Sequence, residues 1–368
     1  MPRARRHRLP PAARHVVYAL VLLLVVEYLV LPQIAGARKA LHLLGSVNPL
    51  GLTLGAALEV GALVAYAELT RSLLAVGERP TRFTVFRINL STLAISHTLP
   101  GGAAAGGGLG YDLLTKSGVR GTDAGFALAT QGMGSAVVLN VILWLALLVS
   151  IPFTGFDPLY ATAAVVGALL LGAFAALVML LTRGEDRAAR ILTTVAVKLP
   201  IVKAEAVEAV VGRIANRVRG LLADRPLLRR CVLWAAVNWM LDAASLWVFT
   251  ASFGHRMNVA GLLVAYGLAN ILAVIPVTPS GLGVVEAVLI PGLVGFGCPR
   301  GMATLGVLSW RLVNFWLPIP VGGLAYLSLR LVPEVSVVNL LDRHSERRAT
   351  ITRPPADKPS DHGSADSP

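Results

Sequence analysis

Two stretches of this sequence combine proline, glycine and a carboxylate in the same order. The first reads Pro100-Gly101-Gly102-Ala103-Ala104-Ala105-Gly106-Gly107-Gly108-Leu109-Gly110-Tyr111-Asp112, the second Pro279-Ser280-Gly281-Leu282-Gly283-Val284-Val285-Glu286. Glycine permits backbone turns that other residues resist and lets a ligand or a neighbouring helix approach the main chain closely. A helix restarting after such a turn offers unpaired N–H groups and the positive end of its dipole, which attract anions, phosphate included. In the second stretch Pro276 and Pro279 bracket the turn, and proline inside a helix costs about 3 kcal/mol, which favours a break there. The first stretch reads two ways. Gly102, Gly106 and Gly110, spaced by four, suit a broken helix or the small-residue packing face of a continuous one.

Both stretches interrupt apolar runs. A charge at bilayer depth costs about 2.5 to 3.5 kcal/mol on insertion scales, so ionisable residues in such runs are candidates for function. They are Glu27, Glu59, Asp112, Asp242, Glu286 and Arg311, with His97 beside them. Arg311, set between Trp310 and Leu312, most needs a partner, and Glu286 is the first choice. The candidate substrate-binding set is Glu286, Arg311, Ser280, Gly281, Gly283, Gly108, Gly110, Asp112 and Asn314. Glu27 and Glu59 also fit hydrogen bonding between packed helices, and His97 fits a helix-end hydrogen bond. Asn89, Gln131, Asn140, Asn238 and Asn270 add polar faces of the kind that join helices for about 0.6 kcal/mol each.

The elements that must position these residues follow from composition. The 368 residues are 55% hydrophobic and 14% charged, with a mean hydropathy of +0.69, which sets the chain apart from soluble domains. Apolar runs long enough to cross a hydrocarbon core of about 30 Å lie at 15–33, 48–70, 124–150, 159–182, 231–252 and 302–330. Two more, 83–99 and 259–275, each run into a glycine stretch and then a shorter apolar piece, 109–115 and 284–297. The fold class expected is all-α: a polytopic transmembrane bundle with two broken or re-entrant hairpins in inverted-repeat arrangement.

Charge sets direction. Residues 1–14 carry Arg3, Arg5, Arg6, Arg8 and Arg14 with no acid, and 183–230 carry eleven more basic residues. Both are expected in the cytoplasm, as are both termini, with the chain in the inner (plasma) membrane. If each broken stretch returns to the side it left, only Arg38, Lys39, Arg256 and Arg300 lie outside, and the two hairpins open from opposite faces. Ala35-Gly36-Ala37 also resembles a signal-peptidase site, although the run before it is long for one and contains Glu27. The domains expected are a basic N-terminus at 1–14, a membrane domain at 15–332 with an amphipathic or solvated helical segment at 183–230, and a disordered tail at 333–368. Cys231 and Cys298 fall on opposite sides in this scheme and are not expected to pair.

Other chemistries find no footing. The sequence has no G-x-x-x-x-G-K-[ST] phosphate loop and no H-E-x-x-H pair, its histidines are scattered, and no histidine is placed to activate Ser280. No metal, cofactor or nucleic acid is expected, and the chain is not expected to be an enzyme.

The string from Pro279 to Glu286, followed by Arg311 in a Trp- and Leu-rich final run, resembles the flippase-like, lysylphosphatidylglycerol-synthase transmembrane family. So does the Pro-Gly-Gly stretch ending in Tyr111-Asp112-Leu113-Leu114 with Gly118 beyond, and the resemblance covers roughly residues 15–332. It implies the membrane half of bacterial multiple-peptide-resistance factors, which translocates aminoacylated phosphatidylglycerol between leaflets. The family's first break usually carries a Gly-Glu pair and a downstream Arg, where this sequence has Ala103 to Gly110 and then Asp112. The soluble aminoacyl-transferase domain has no counterpart, so synthesis of the lipid is not expected.

The leading expectation is therefore movement of a phospholipid or polyprenyl-linked lipid between leaflets of a bacterial inner membrane. Ion-coupled transport of a small solute fits the same carboxylates. A scaffold recruiting a lipid-modifying or cell-wall enzyme through 183–230 is the third reading. Membrane lipids are the expected partners, and small-residue faces such as Gly51 with Gly55 suit packing within one chain or in a homo-oligomer.

Overall fold

The computed structural model describes residues 49–74, 79–99, 101–154, 158–183, 216, 218–273 and 278–331. The basic N-terminus, the apolar run at 15–33 with Glu27, nearly all of 184–217, Pro100, Pro276 and the tail lie outside the described residues. Among the described residues every regular element is helical: α1 (Pro49–Leu73), α2 (Arg82–Thr98), α3 (Gly102–Lys116), α4 (Gly121–Thr154), α5 (Pro158–Arg183), α6 (Arg225–Ser252), α7 (Val259–Leu272), a 3-10 turn (Pro279–Gly281), α8 (Val284–Gly295), α9 (Arg300–Arg311), a π turn (Leu312–Trp316) and α10 (Pro318–Leu331).

Among the described residues four stretches are long and apolar enough to cross a membrane: α1, α4, α6 and the continuous α9–π–α10 rod, Arg300–Leu331. Helix α5 runs 26 residues and its described part is apolar. Large hydrophobic side chains point outward all along these helices, among them Leu145, Leu148, Leu169, Leu324 and Leu327. In water that surface would be a liability; in hydrocarbon it is the solvated face.

The remaining helices form two hairpins, α2–α3 and α7–α8. Their members have 17, 15, 14 and 12 residues. At 1.5 Å per residue these are about 18 to 25 Å long, short of the hydrocarbon thickness. Local chemistry fixes where they start. The Thr81 side chain accepts the Thr84 N–H at 3.2 Å before α2, and Asn258 accepts the Ala260 N–H at 2.8 Å before α7. The first hairpin turns through Gly101, whose φ of +67° only glycine adopts without penalty.

The most extensive packing is α1 on α6. Gly51 and Gly55 make it possible: a Cβ on Gly55 would stand 2.7 Å from the Phe249 ring, and Ser245 Oγ donates to the Gly55 carbonyl at 2.9 Å. These two glycines thus pack within the chain. One buried cluster joins α4, α6, α7, α8 and α9, and a second joins α1, α2, α3, α4 and α6, so each hairpin belongs to its own core. The final rod bridges them, with α9 against α8 and α10 against α2, where a Cβ on Gly322 would meet Ala94 at 2.8 Å. Cys231 and Cys298 are both free and buried.

Candidate functional site

The two hairpins touch at their tips. The 3-10 turn packs on α2 and α3, and Ser280 Oγ donates to the Ser96 carbonyl at 3.1 Å. Behind Ser280 the backbone runs through Gly281 at φ +69° and Gly283 at φ +82° before α8 begins. Ser280 itself sits at φ +41°, a left-handed conformation that an L side chain adopts at a cost of about 1 to 3 kcal/mol. Glu286, third in α8, turns back so that its Oε2 accepts the Gly283 N–H at 2.6 Å, closing the first turn of the helix.

The other carboxylate oxygen holds Arg311. Nε of Arg311 donates to Glu286 Oε1 at 2.5 Å, and Nη2 donates to the Gly281 carbonyl at 3.3 Å. The guanidinium lies 5.6 Å from the Trp310 ring centroid and 5.0 Å from that of Phe315. Carboxylate, carbonyl and two aromatic faces replace the water that the cation gives up. The pair also ties the glycine tip to the final rod.

Immediately after Arg311 the rod changes its winding. Pro318 and Pro320 have no N–H to offer the carbonyls four residues before them, so the chain closes a wider turn, with the Leu317 N–H reaching the Leu312 carbonyl at 2.9 Å. The loosened turn leaves the Phe315 carbonyl for His97 of α2, whose Nδ1 donates to it at 2.9 Å while the rings stack 4.5 Å apart. A carbonyl can only accept, so the His97 proton sits on Nδ1.

A second polar cluster lies beside the first. Asp242 of α6 accepts Trp310 Nε1 at 2.6 Å and Asn314 Nδ2 at 3.2 Å on Oδ1, and Tyr266 OH at 2.6 Å on Oδ2. The same Asn314 nitrogen donates to Glu59 Oε1 of α1 at 2.9 Å. Four helices and the π turn thus converge on two carboxyl groups, both nearly shut off from solvent.

These groups line a cavity of about 570 Å³. The lining is mixed: Glu59, His97, Asp242, Asn270, Arg311 and Asn314 are polar, α4 brings Ser135 and Asn140 beside Met133 and Val137, and α5 brings only apolar residues, Leu170, Leu171, Ala173 and Phe174. Among the described residues no group of three or more His, Cys, Asp and Glu could hold a metal ion. The lining is acidic on balance, because its one guanidinium already has Glu286 as partner.

The structure brings together Glu286, Arg311, Ser280, Gly281, Gly283 and Asn314 from the sequence-derived set. Gly108, Gly110 and Asp112 stand apart from them. Gly108 is exposed with nothing within 4 Å of an added Cβ, Gly110 packs against Thr92 and Leu128, and Asp112 pairs with Lys116 at 2.6 Å on the surface of α3. Gly102, Gly106 and Gly110 face α2, where a Cβ on Gly106 would press on the Thr92 carbonyl at 2.7 Å, so the first stretch is a break at Gly101 followed by a packing face. Glu59 and Asp242 are ionisable residues that the sequence singles out but does not join to the set. The signal available was arithmetic: five carboxylates in the apolar runs against one arginine require the other four to find each other or another donor. Tyr266 and Trp310 left no such trace.

Residues 10–322 match the family described as "Lysylphosphatidylglycerol synthase TM region". The chain is 22% identical over 176 residues to a UPF0104 membrane protein of Methanothermobacter thermautotrophicus, a stretch covering 45% of this chain and 52% of that protein. It is 30% identical over 98 residues to the inner membrane protein YbhN of Escherichia coli, covering 27% of this chain and 30% of that one. The UPF0104 membrane protein PH1989 of Pyrococcus horikoshii is 26% identical over 118 residues, 32% of this chain and 33% of its own length. The chain thus spans about half the length, or less, of the curated relatives it matches. With the family match running over most of the sequence, through the Pro279–Glu286 string and Arg311, this multi-pass membrane protein belongs to the lysylphosphatidylglycerol synthase TM-region family.

Proposed function

We propose that the protein moves a lipid between the leaflets of a bacterial inner membrane. The observation that carries this reading is the mixed lining of the cavity, in which Glu59, Asp242, Arg311 and Asn314 share one space with the wholly apolar Leu170, Leu171, Ala173 and Phe174 of α5. A polar headgroup cannot cross hydrocarbon cheaply, whereas acyl chains can stay in it, so a lipid mover needs polar and apolar groups lining one cavity. A small hydrophilic solute has no use for the apolar α5 residues.

In this reading α2–α3 and α7–α8 are re-entrant hairpins, entering from opposite faces as an inverted repeat and meeting near the midplane. Three features support it: the hairpin helices are too short to cross, their tips touch through Ser280 and Ser96, and the final rod has one hairpin beside each half. The distribution of arginine and lysine favours cytoplasmic termini, with the first hairpin opening to the cytoplasm. The acidic balance of the lining favours a headgroup that brings an amine, as a zwitterionic phospholipid does. Arg311 reaches a headgroup phosphate only when Glu286 lets it go, so the Arg311–Glu286 clasp is the element that substrate must open. The protein acts here as a carrier of membrane lipid and not as an enzyme.

The test is exchange of an acyl-labelled fluorescent phosphatidylethanolamine between leaflets of proteoliposomes. Arg311→Ala is expected to abolish exchange while the protein still inserts, and unchanged exchange would remove Arg311 from the mechanism. The buried carboxyls favour a second reading, ion-coupled transport of a small solute. Solute uptake without any lipid exchange would select it.

A further inference from the structure

Glu59 presents an oxygen with no donor. Its Oε1 accepts from Asn314, but Oε2 is buried and meets no N–H or O–H of any neighbour. The Asn314 amide nitrogen that donates to Oε1 also donates to Asp242 Oδ1 at 3.2 Å, so one nitrogen bridges the two carboxyls and holds them side by side. Two carboxylates sharing one donor in a buried site repel, and one of them takes up a proton in place of its charge. The neighbourhood decides which. Asp242 receives three donors, from Tyr266, Trp310 and Asn314, the coordination that an ionised carboxylate seeks. Glu59 receives one.

The surrounding charges point the same way. The titratable and charged groups facing the pair are Tyr66 from its own helix, His97 from α2, Tyr266 from α7 and Arg311 from α9, with Glu286 of α8 behind Arg311. Arg311, the cation among them, is held by Glu286 and the Gly281 carbonyl. One arginine against three carboxylates leaves the pair without a full countercharge, and an uncompensated carboxylate at bilayer depth protonates instead.

We propose that Glu59 and Asp242 hold one proton between them, and that this proton is released and retaken in each transport cycle, so that lipid movement draws on the transmembrane proton gradient. The second clause rests on the lipid-moving function; the first does not. On release the Oε2–H bond of Glu59 breaks, its electron pair stays on the oxygen, and the proton passes to cavity water. The charge this leaves is tolerated only with a cation alongside, which a headgroup ammonium in the cavity supplies. Release is thereby tied to occupancy.

Two measurements on the full chain test this. Infrared difference spectroscopy in nanodiscs at neutral pH should show a protonated-carboxyl stretch that Glu59→Gln removes and the surface substitution Asp112→Asn does not. Identical wild-type and Glu59→Gln spectra would overturn the shared proton. In proteoliposomes, a pH difference of one unit should drive the labelled phosphatidylethanolamine to a leaflet ratio of up to about tenfold, the limit for one proton per lipid. In Glu59→Gln, whatever exchange remains should ignore the gradient. Wild-type exchange that ignores it equally would overturn the coupling and leave lipid movement standing. Absence of any exchange would sink the lipid-moving function and the coupling together, with the infrared band still deciding the proton.

Discussion

In the first hairpin the glycines at 102, 106 and 110 lie on one face of a regular helix and let α2 come within contact of the α3 backbone, whereas in the second Gly281 and Gly283 take left-handed conformations and α8 starts only after them. The first use exploits the missing side chain, the second the freed backbone. The carboxylates diverge for the same reason. Glu286 is third in its helix and reaches back to the turn, while Asp112 is eleventh in α3, three turns from Gly101, and finds Lys116 at the surface. Distance from the helix start, and not from the Gly-Leu-Gly string, decides which acid reaches back to the turn and to Arg311.

The largest test of this contrast sets Glu286→Ala beside Asp112→Ala. Removing one partner of a buried ion pair strands the other and costs about 3 to 5 kcal/mol, and the Arg311 and Glu286 side chains are only 6% and 17% exposed. The Lys116 and Asp112 side chains are 63% and 50% exposed, a setting in which such pairs contribute at most about 1 kcal/mol. Equilibrium unfolding in nanodiscs should therefore separate the two variants widely. The double variant Glu286→Gln, Arg311→Met should regain much of the stability without regaining transport. Equal losses from the single variants would break the comparison.

A smaller effect sharpens it within one helix. Gly106→Leu drives a side chain into the Thr92 carbonyl and should cost about 1 to 3 kcal/mol and loosen the hairpin. Gly108, two residues on, has open space, so Gly108→Ala should stabilise α3 by about 0.5 to 1 kcal/mol through helix propensity alone. Thermal unfolding of the pair reads the sign directly. Loss of stability in Gly108→Ala would mean that the outer face of α3 packs on something.

Much of this architecture was legible in the residue order because membranes write plainly. Apolar runs gave α1, α4, α6 and the final rod, proline and glycine gave the second break and left the first open between a break and a packing face, and the solitary Arg311 demanded Glu286. Convergence in space is what a linear reading lacks. Glu59 and Asp242 lie far apart in the chain and meet only because the Gly51–Gly55 face lets α1 settle on α6. The π turn had a signal in Pro318 and Pro320, but its consequence, a carbonyl left for His97, depends on α2 packing beside α10. The equivalence of the two glycine strings was the misleading part, since residue type alone does not distinguish a packing glycine from a turning one.

The finest test compares the two tips. Ser280 and Gly101 both occupy left-handed backbone, at φ +41° and +67°. Ser280→Ala keeps that conformation and loses the bond to Ser96, while Ser280→Gly loses the bond but relieves the backbone, so the glycine variant should be the more stable of the two by about 1 to 2 kcal/mol. Gly101→Ala imposes the same conformation on a side chain from the other direction, in a place where nothing lies within 4 Å, so its loss should match that difference. Agreement between the two numbers in unfolding equilibria would mean that both tips impose the same left-handed cost on a side chain, a cost that Ser280 bears and Gly101 avoids. A Ser280→Gly variant no more stable than Ser280→Ala would mean that the second tip relaxes freely, and that Ser280 is held by its contact with the first hairpin and not by the turn.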